Sequence, residues 1–142
     1  MARKLRLEFP GACYHVINRG NYKRAIFGAD GTAGSFEKAL FEGCESYNWR
    51  LHAYVIMKNH FHLALESPEP NLSSGMKWLQ GTFAVRFNRY FGKIGRPFQK
   101  VSVYRVDDFT HQGVIFILFP IDILTSILDE DFPQSFVRHS FP

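Results

Sequence analysis

Two apolar runs, Leu51–Met57 and His60–Glu66, stand with only the polar Lys58-Asn59 between them, and this pair narrows the possible folds most. In the second run Phe61, Leu63 and Leu65 alternate with His60, His62 and Ala64. That is the period of a strand whose two faces meet different surroundings. Both runs therefore read as strands. Upstream, Cys13–Asn18 reads as a further strand, broken by Arg19-Gly20-Asn21, where Gly and Asn suit a turn. Residues 31–47 place Phe36, Leu40, Phe41 and Cys44 at helical spacing. Pro68-Glu69-Pro70 is a hard stop. Beyond it, Leu72–Tyr90 carries Met76, Leu79, Phe83 and Phe87 in one apolar stripe, with Asn71, Ser73 or Ser74 as the candidate cap. A last strand is expected over Val101–Val106. The order strand, helix, strand, strand, helix, strand predicts an α+β, ferredoxin-like βαββαβ fold, an antiparallel sheet with two helices on one face.

The chain has 142 residues, the size of one domain. Apolar residues make up 46%, enough for a core of that size. Two cysteines, Cys13 and Cys44, exclude a disulfide framework. No apolar run reaches the roughly 18 residues of a membrane span, and the basic start has no apolar stretch behind it. A cytoplasmic protein without a membrane partner is expected. Charge is uneven: residues 1–100 hold 15 Lys/Arg against 7 Asp/Glu, and residues 101–142 hold 2 against 6. The basic part suits a phosphate-bearing partner, and equally a merely solvated surface. A domain is expected over residues 1–106, its last strand being the weakest part. Residues 107–142 form an atypical tail in which the apolar stretch Gly113–Leu128 is broken by Pro120 and Asp122.

The histidines carry the chemistry. His60 and His62 project to one side of their strand, a requirement for two imidazoles to share a metal ion. Imidazole nitrogen suits Mn²⁺ better than Mg²⁺. Taken alone, the pair reads first as two surface or half-buried histidines; on an apolar strand in a basic domain, the metal reading stands level with that one. Arg86, Asn88, Arg89 and Lys93 interleave with Phe87, Tyr90 and Phe91 near the end of the second helix. Cations among aromatics suit single-stranded nucleic acid, and equally a solvated face over core aromatics. Arg19, Asn21 and Lys23 follow the first strand, where a loop can reach a phosphate. Arg3, Lys4 and Arg6 offer a basic arm.

Several motifs together resemble a known family. Val55-Ile56-Met57-Lys58-Asn59-His60-Phe61-His62-Leu63 is similar to the HUH motif (His, bulky apolar, His) of the single-tyrosine transposases. Pro10-Gly11, Tyr14-His15-Val16 and Asn18-Arg19-Gly20 resemble the opening of their REP-associated branch. Met76–Thr82, Arg86-Phe87-Asn88-Arg89 and Gly95–Gln99 resemble its second helix and following turn. The resemblance covers about residues 1–99. It implies binding of single-stranded or hairpin DNA by a monomer or homodimer. It further implies a divalent metal, Mg²⁺ or Mn²⁺, on His60 and His62, with a polar ligand from the second helix. A helix tyrosine would then attack the phosphodiester and form a 5′-phosphotyrosyl link. Phe83 stands at the position expected for that tyrosine. Tyr90, two turns on, is the nearest substitute and the candidate catalytic residue. After Gln99 the chain follows neither the family's Gly-Arg-aromatic-Lys strand nor its His-x-Asn-Pro segment, as though the reading frame had changed near Lys100. The expected function is transposase-like strand cleavage and rejoining, impaired at Phe83. The alternatives are a non-catalytic hairpin-binding module and a degenerate remnant.

Overall fold

The computed structural model describes residues 8–106. The basic arm (Arg3, Lys4, Arg6) and the tail over 107–142 lie outside these residues. The chain forms β1 (Ala12–Arg19), a 3-10 turn (Asn21–Lys23), α1 (Thr32–Ser46), β2 (Arg50–Ile56), β3 (His60–Ser67), α2 (Leu72–Phe91) and β4 (Ser102–Val106). These are the expected elements in the expected order. The four strands make one antiparallel sheet in the order β2-β3-β1-β4, so the α+β reading holds.

Alternation along the strands separates the two sides of the sheet. On one side Tyr14 and Val16 of β1, Leu51, Tyr54 and Ile56 of β2, and Phe61, Leu63 and Leu65 of β3 are buried in one cluster with Phe36 and Leu40 of α1 and Met76, Leu79 and Phe83 of α2. Both helices therefore cover this side. Its centre is aromatic: Phe36 meets Phe61 at 4.6 Å between ring centroids, and Phe83 meets Phe98 at 5.3 Å. Each such ring withdrawn from water contributes roughly 1.5–3 kcal/mol.

α2 begins differently from the reading above. Asn71 occupies the capping position, but its side chain is engaged elsewhere. Its Oδ1 accepts from Trp49 Nε1 at 3.0 Å and from Ser67 Oγ at 2.9 Å, while Nδ2 donates to the Tyr47 carbonyl at 2.9 Å. The backbone N–H of Ser73 is met instead by the Glu8 carboxylate at 2.9 Å, an anion at a helix start. One glycine is required here. A Cβ on Gly75 would lie 2.0 Å from Cζ2 of Trp49, so only glycine lets α2 approach that indole.

The loops at one end of the sheet are bound together. Gly20 N–H donates to Asn59 O at 2.7 Å, Phe27 N–H to Lys58 O at 3.0 Å and Asn21 N–H to Pro97 O at 2.7 Å. Gln99 N–H closes the set on Arg19 O at 2.8 Å. The start of β3, and His60 with it, is thus held by the turn that follows β1.

Candidate metal and nucleic-acid site

His60 and His62 lie on the side of the sheet opposite the helices, because the residues between and after them, Phe61 and Leu63, point into the helix-covered core. Register brings partners to that side. Between β1 and β3, Arg19 stands opposite His60, Ile17 opposite His62 and His15 opposite Ala64. Between β1 and β4, Tyr104 stands opposite His15. The rings form a row: Tyr104 to His15 is 6.1 Å between centroids, His15 to His62 is 5.3 Å, and His62 to His60 is 5.2 Å. Nε2 of His15 lies 3.0 Å from Nδ1 of His62. Nδ1 of His60 lies 2.7 Å from Oδ1 of Asn59, a carbonyl oxygen that accepts its proton and leaves Nε2 with the lone pair.

Electrostatics keep these rings uncharged. Burial pushes His62 down to about 3, helped by the neighbouring His60, His15 and Arg19. Burial alone takes His15 to about 4. His60 is lowered by burial and then by the Arg19 guanidinium. Neutral imidazole is the form that binds a metal. Among the described residues, no group of three or more His, Cys, Asp or Glu side chains is placed to hold a metal ion. The donor set still fits a partly open site: two neutral imidazoles on one strand face, with the remaining positions left to water or phosphate oxygens.

The topology also gathers charge. The loops at the end of the sheet that carries His60, together with Arg19 itself, hold Arg19, Lys23, Arg24, Lys58, Lys93, Arg96 and Lys100 against a single acid, Asp30. Lys23 is exposed and sits at positive φ. Asn21 does not point outward freely, since its Nδ2 donates to the Arg96 carbonyl at 3.1 Å. Lys93 lies 5.8 Å from the Phe91 ring centroid.

The second helix departs from expectation. Phe83 is 0% exposed and packs against Phe36, Phe98, Phe27 and Phe87. It belongs to the core, and the sheet stands between it and the histidines. A tyrosine there would not face the imidazoles, so Phe83 is not a nucleophile position emptied of its oxygen. The candidate Tyr90 is 73% exposed near the end of α2, on the helix-covered side of the sheet, and lines a small pocket with Asp30, Thr32 and Ser35. Asn88 donates to the Gly95 carbonyl at 2.8 Å and so shapes the turn after the helix. Arg86 pairs with Glu42 of α1 at 2.8 Å. Arg89 is exposed and lines a shallow groove of about 670 Å³ with Tyr47, Lys77, Trp78, Val85 and Arg86 in the helix layer. The basic candidates therefore lie in two places: Arg19, Lys23 and Lys93 at the histidine end of the sheet, and Arg86 and Arg89 among the helices.

Two members of the site escaped sequence reasoning. His15 shares the alternation of Cys13, Ile17 and Arg19, but its place beside His62 depends on the β1–β3 register. Tyr104, 57% exposed, needed the β1–β4 pairing.

Residues 9–107 match the profile of the family described as IS200-like transposases. No curated protein matches the sequence significantly. Among solved structures, a REP-associated tyrosine transposase bound to a REP hairpin superposes with a TM-score of 0.66 at 13% identity, covering 99% of this chain and 95% of that one. A protein of Deinococcus radiodurans R1 assigned as a transposase superposes with a TM-score of 0.56 at 20% identity, covering 80% of this chain and 91% of that one. At these identities the likeness to the solved structures is one of fold. No described helix is long and apolar enough to cross a membrane.

Proposed function

The chain belongs to the IS200-like transposase family, and we propose that it binds single-stranded or hairpin DNA and cuts and rejoins one strand with a divalent ion, Mg²⁺ or Mn²⁺, on His60 and His62. The observation that carries this reading is the coincidence of two neutral imidazoles with the most basic end of the sheet. The fold shared with a transposase bound to a REP hairpin supports the choice of DNA.

Each part of the chain has a task in this reading. Arg19, beside His60, places a guanidinium next to the ion site and suits a phosphate oxygen. Lys23, Lys93 and the neighbouring cations neutralise further phosphates and release their counterions. Asn59 fixes the His60 ring so that Nε2 faces the ion. The ion, when bound, supplies Lewis-acid polarisation of the scissile phosphate. Tyr104 is the described tyrosine whose ring stands against the histidine row, so it replaces Tyr90 as the phenol to test.

A second reading, hairpin binding without cleavage, is favoured by one observation: α2 and its aromatic residues lie on the far side of the sheet from the histidines. One experiment separates the two. The protein is titrated with a labelled hairpin at several salt concentrations and then incubated with Mn²⁺ and run on a denaturing gel. Salt-sensitive binding plus a covalent adduct supports cutting and rejoining. Binding without adduct supports the module. Affinity independent of salt, or unchanged when Arg19 and Lys23 are replaced by Ala, overturns both.

A further inference from the structure

We propose that His15 is a positioning residue for the metal site: its Nε2 accepts the Nδ1–H of His62 and thereby commits Nε2 of His62 to the ion. This rests on the reading of His60 and His62 as ligands.

A neutral imidazole carries one N–H and one lone pair. The contact of 3.0 Å between His15 Nε2 and His62 Nδ1 needs one donor and one acceptor. If His15 donated, His62 would carry its remaining proton on Nε2 and have no lone pair left for a metal. If His62 donates, its Nε2 is free to ligate. His60 shows the same arrangement by a different route, with Nδ1 against Asn59 Oδ1 at 2.7 Å. Both rings then present Nε2 on one sheet face, each steadied from behind by a partner on its Nδ1. Such partners fix ring orientation and raise ligand basicity.

The surroundings hold His15 in place for this task. It stands opposite Ala64 on β3, a small residue that leaves room for its ring beside His62. On its other flank Tyr104 packs at 6.1 Å. β1 is central in the sheet, paired on both sides, so the ring rides on a rigid strand. His15 is not itself counted among the ligands, in keeping with the absence of a converging three-residue group among the described residues.

The test uses the full chain and three variants. His15→Phe keeps a ring against Tyr104 and removes the acceptor. His15→Gln puts an amide oxygen near the position of Nε2. His62→Ala removes the ligand. Mn²⁺ affinity is measured by the electron paramagnetic resonance of the free ion, and the tautomer of His62 by nitrogen NMR on metal-free protein. The expected result is a loss of about 10–100-fold in Mn²⁺ affinity for His15→Phe and recovery to within a few-fold of wild type for His15→Gln. The metal-free wild type should show His62 protonated on Nδ1. Unchanged affinity in His15→Phe overturns the proposal. Equal loss in His15→Phe and His15→Gln also overturns it, because it would make His15 a direct ligand. His62 protonated on Nε2 does the same, and needs no metal to be seen. If wild type and His62→Ala take up Mn²⁺ alike, the metal reading itself fails, a result distinct from each of these.

Discussion

Acidifying the metal-free protein should destabilise it, and the histidine row sets the pH range. His15 and His62 are held at about 4 and about 3, against 6.5 for an unperturbed imidazole. A lowered pKa in the folded state means that the unfolded chain takes up protons first. Stability is therefore complete above pH 6.5 and declines as pH falls below it, until the folded rings themselves titrate. At pH 5 the unfolded imidazole is 1.5 units below its own pKa. Each unit is about 1.4 kcal/mol, so a well-buried histidine such as His62 costs about 2 kcal/mol there, and the half-exposed His15 less because solvent screens it. The first proton to enter the pair is shared across the 3.0 Å contact, which softens the penalty for one ring. The total then lies between about 2 and 4 kcal/mol, a large part of the roughly 5–15 kcal/mol that holds a domain together. Charged neighbours on this face are Arg19, which adds to the penalty, and Glu66, already paired with Arg50 at 3.1 Å and His52 at 3.4 Å. The assay is urea unfolding in EDTA, followed by tryptophan fluorescence, from pH 7.5 to 4.5. Wild type should lose that amount between pH 7 and 5, and the double variant His15→Gln/His62→Gln should lose much less. A wild-type curve flat over this range, or a double variant that declines equally, would refute the argument.

Two other substitutions probe the helix layer. Gly75→Ala drives a methyl into Trp49 and should cost at least the roughly 1–3 kcal/mol of an overpacked core, read as a lower urea midpoint; an unchanged midpoint would show that the indole moves aside cheaply. Phe83→Tyr should yield no DNA adduct at residue 83 and should lower stability by about 1–3 kcal/mol through an ill-matched hydroxyl among aromatic rings. Peptide mapping that finds DNA on residue 83 would show that α2 can reach the ion.

The fold was legible because local signals agreed. Alternation in His60–Leu65, the proline stop at Pro68 and the apolar stripe through Met76, Leu79 and Phe83 each specify an element, and the boundaries fell within two residues. The shared side of His60 and His62 follows from strand geometry alone. What the sequence could not show is which side of the sheet a helix will cover. Phe83 and His62 both sit on regular elements, and only packing decides that one joins Phe36 while the other joins His15. The capping of α2 went astray for a similar reason. Asn71 has the right chemistry for a cap, but Trp49, far away in sequence, takes its oxygen. Glu8 then serves the helix from a segment that composition alone marks only as a lead-in.

Along the first half of β3, Phe61 and Leu63 belong to the helix-covered interior, while His60 and His62, alternating with them, face the other side of the sheet. Mutational drift can thus rewrite the reactive surface without passing through unfolded intermediates, since exchanging an imidazole leaves Phe61, Leu63 and Leu65 untouched. For an engineer, the alternate positions of β1 and β3 offer a rigid two-dimensional grid on which new ion receptors can be laid out independently of the scaffold that carries them.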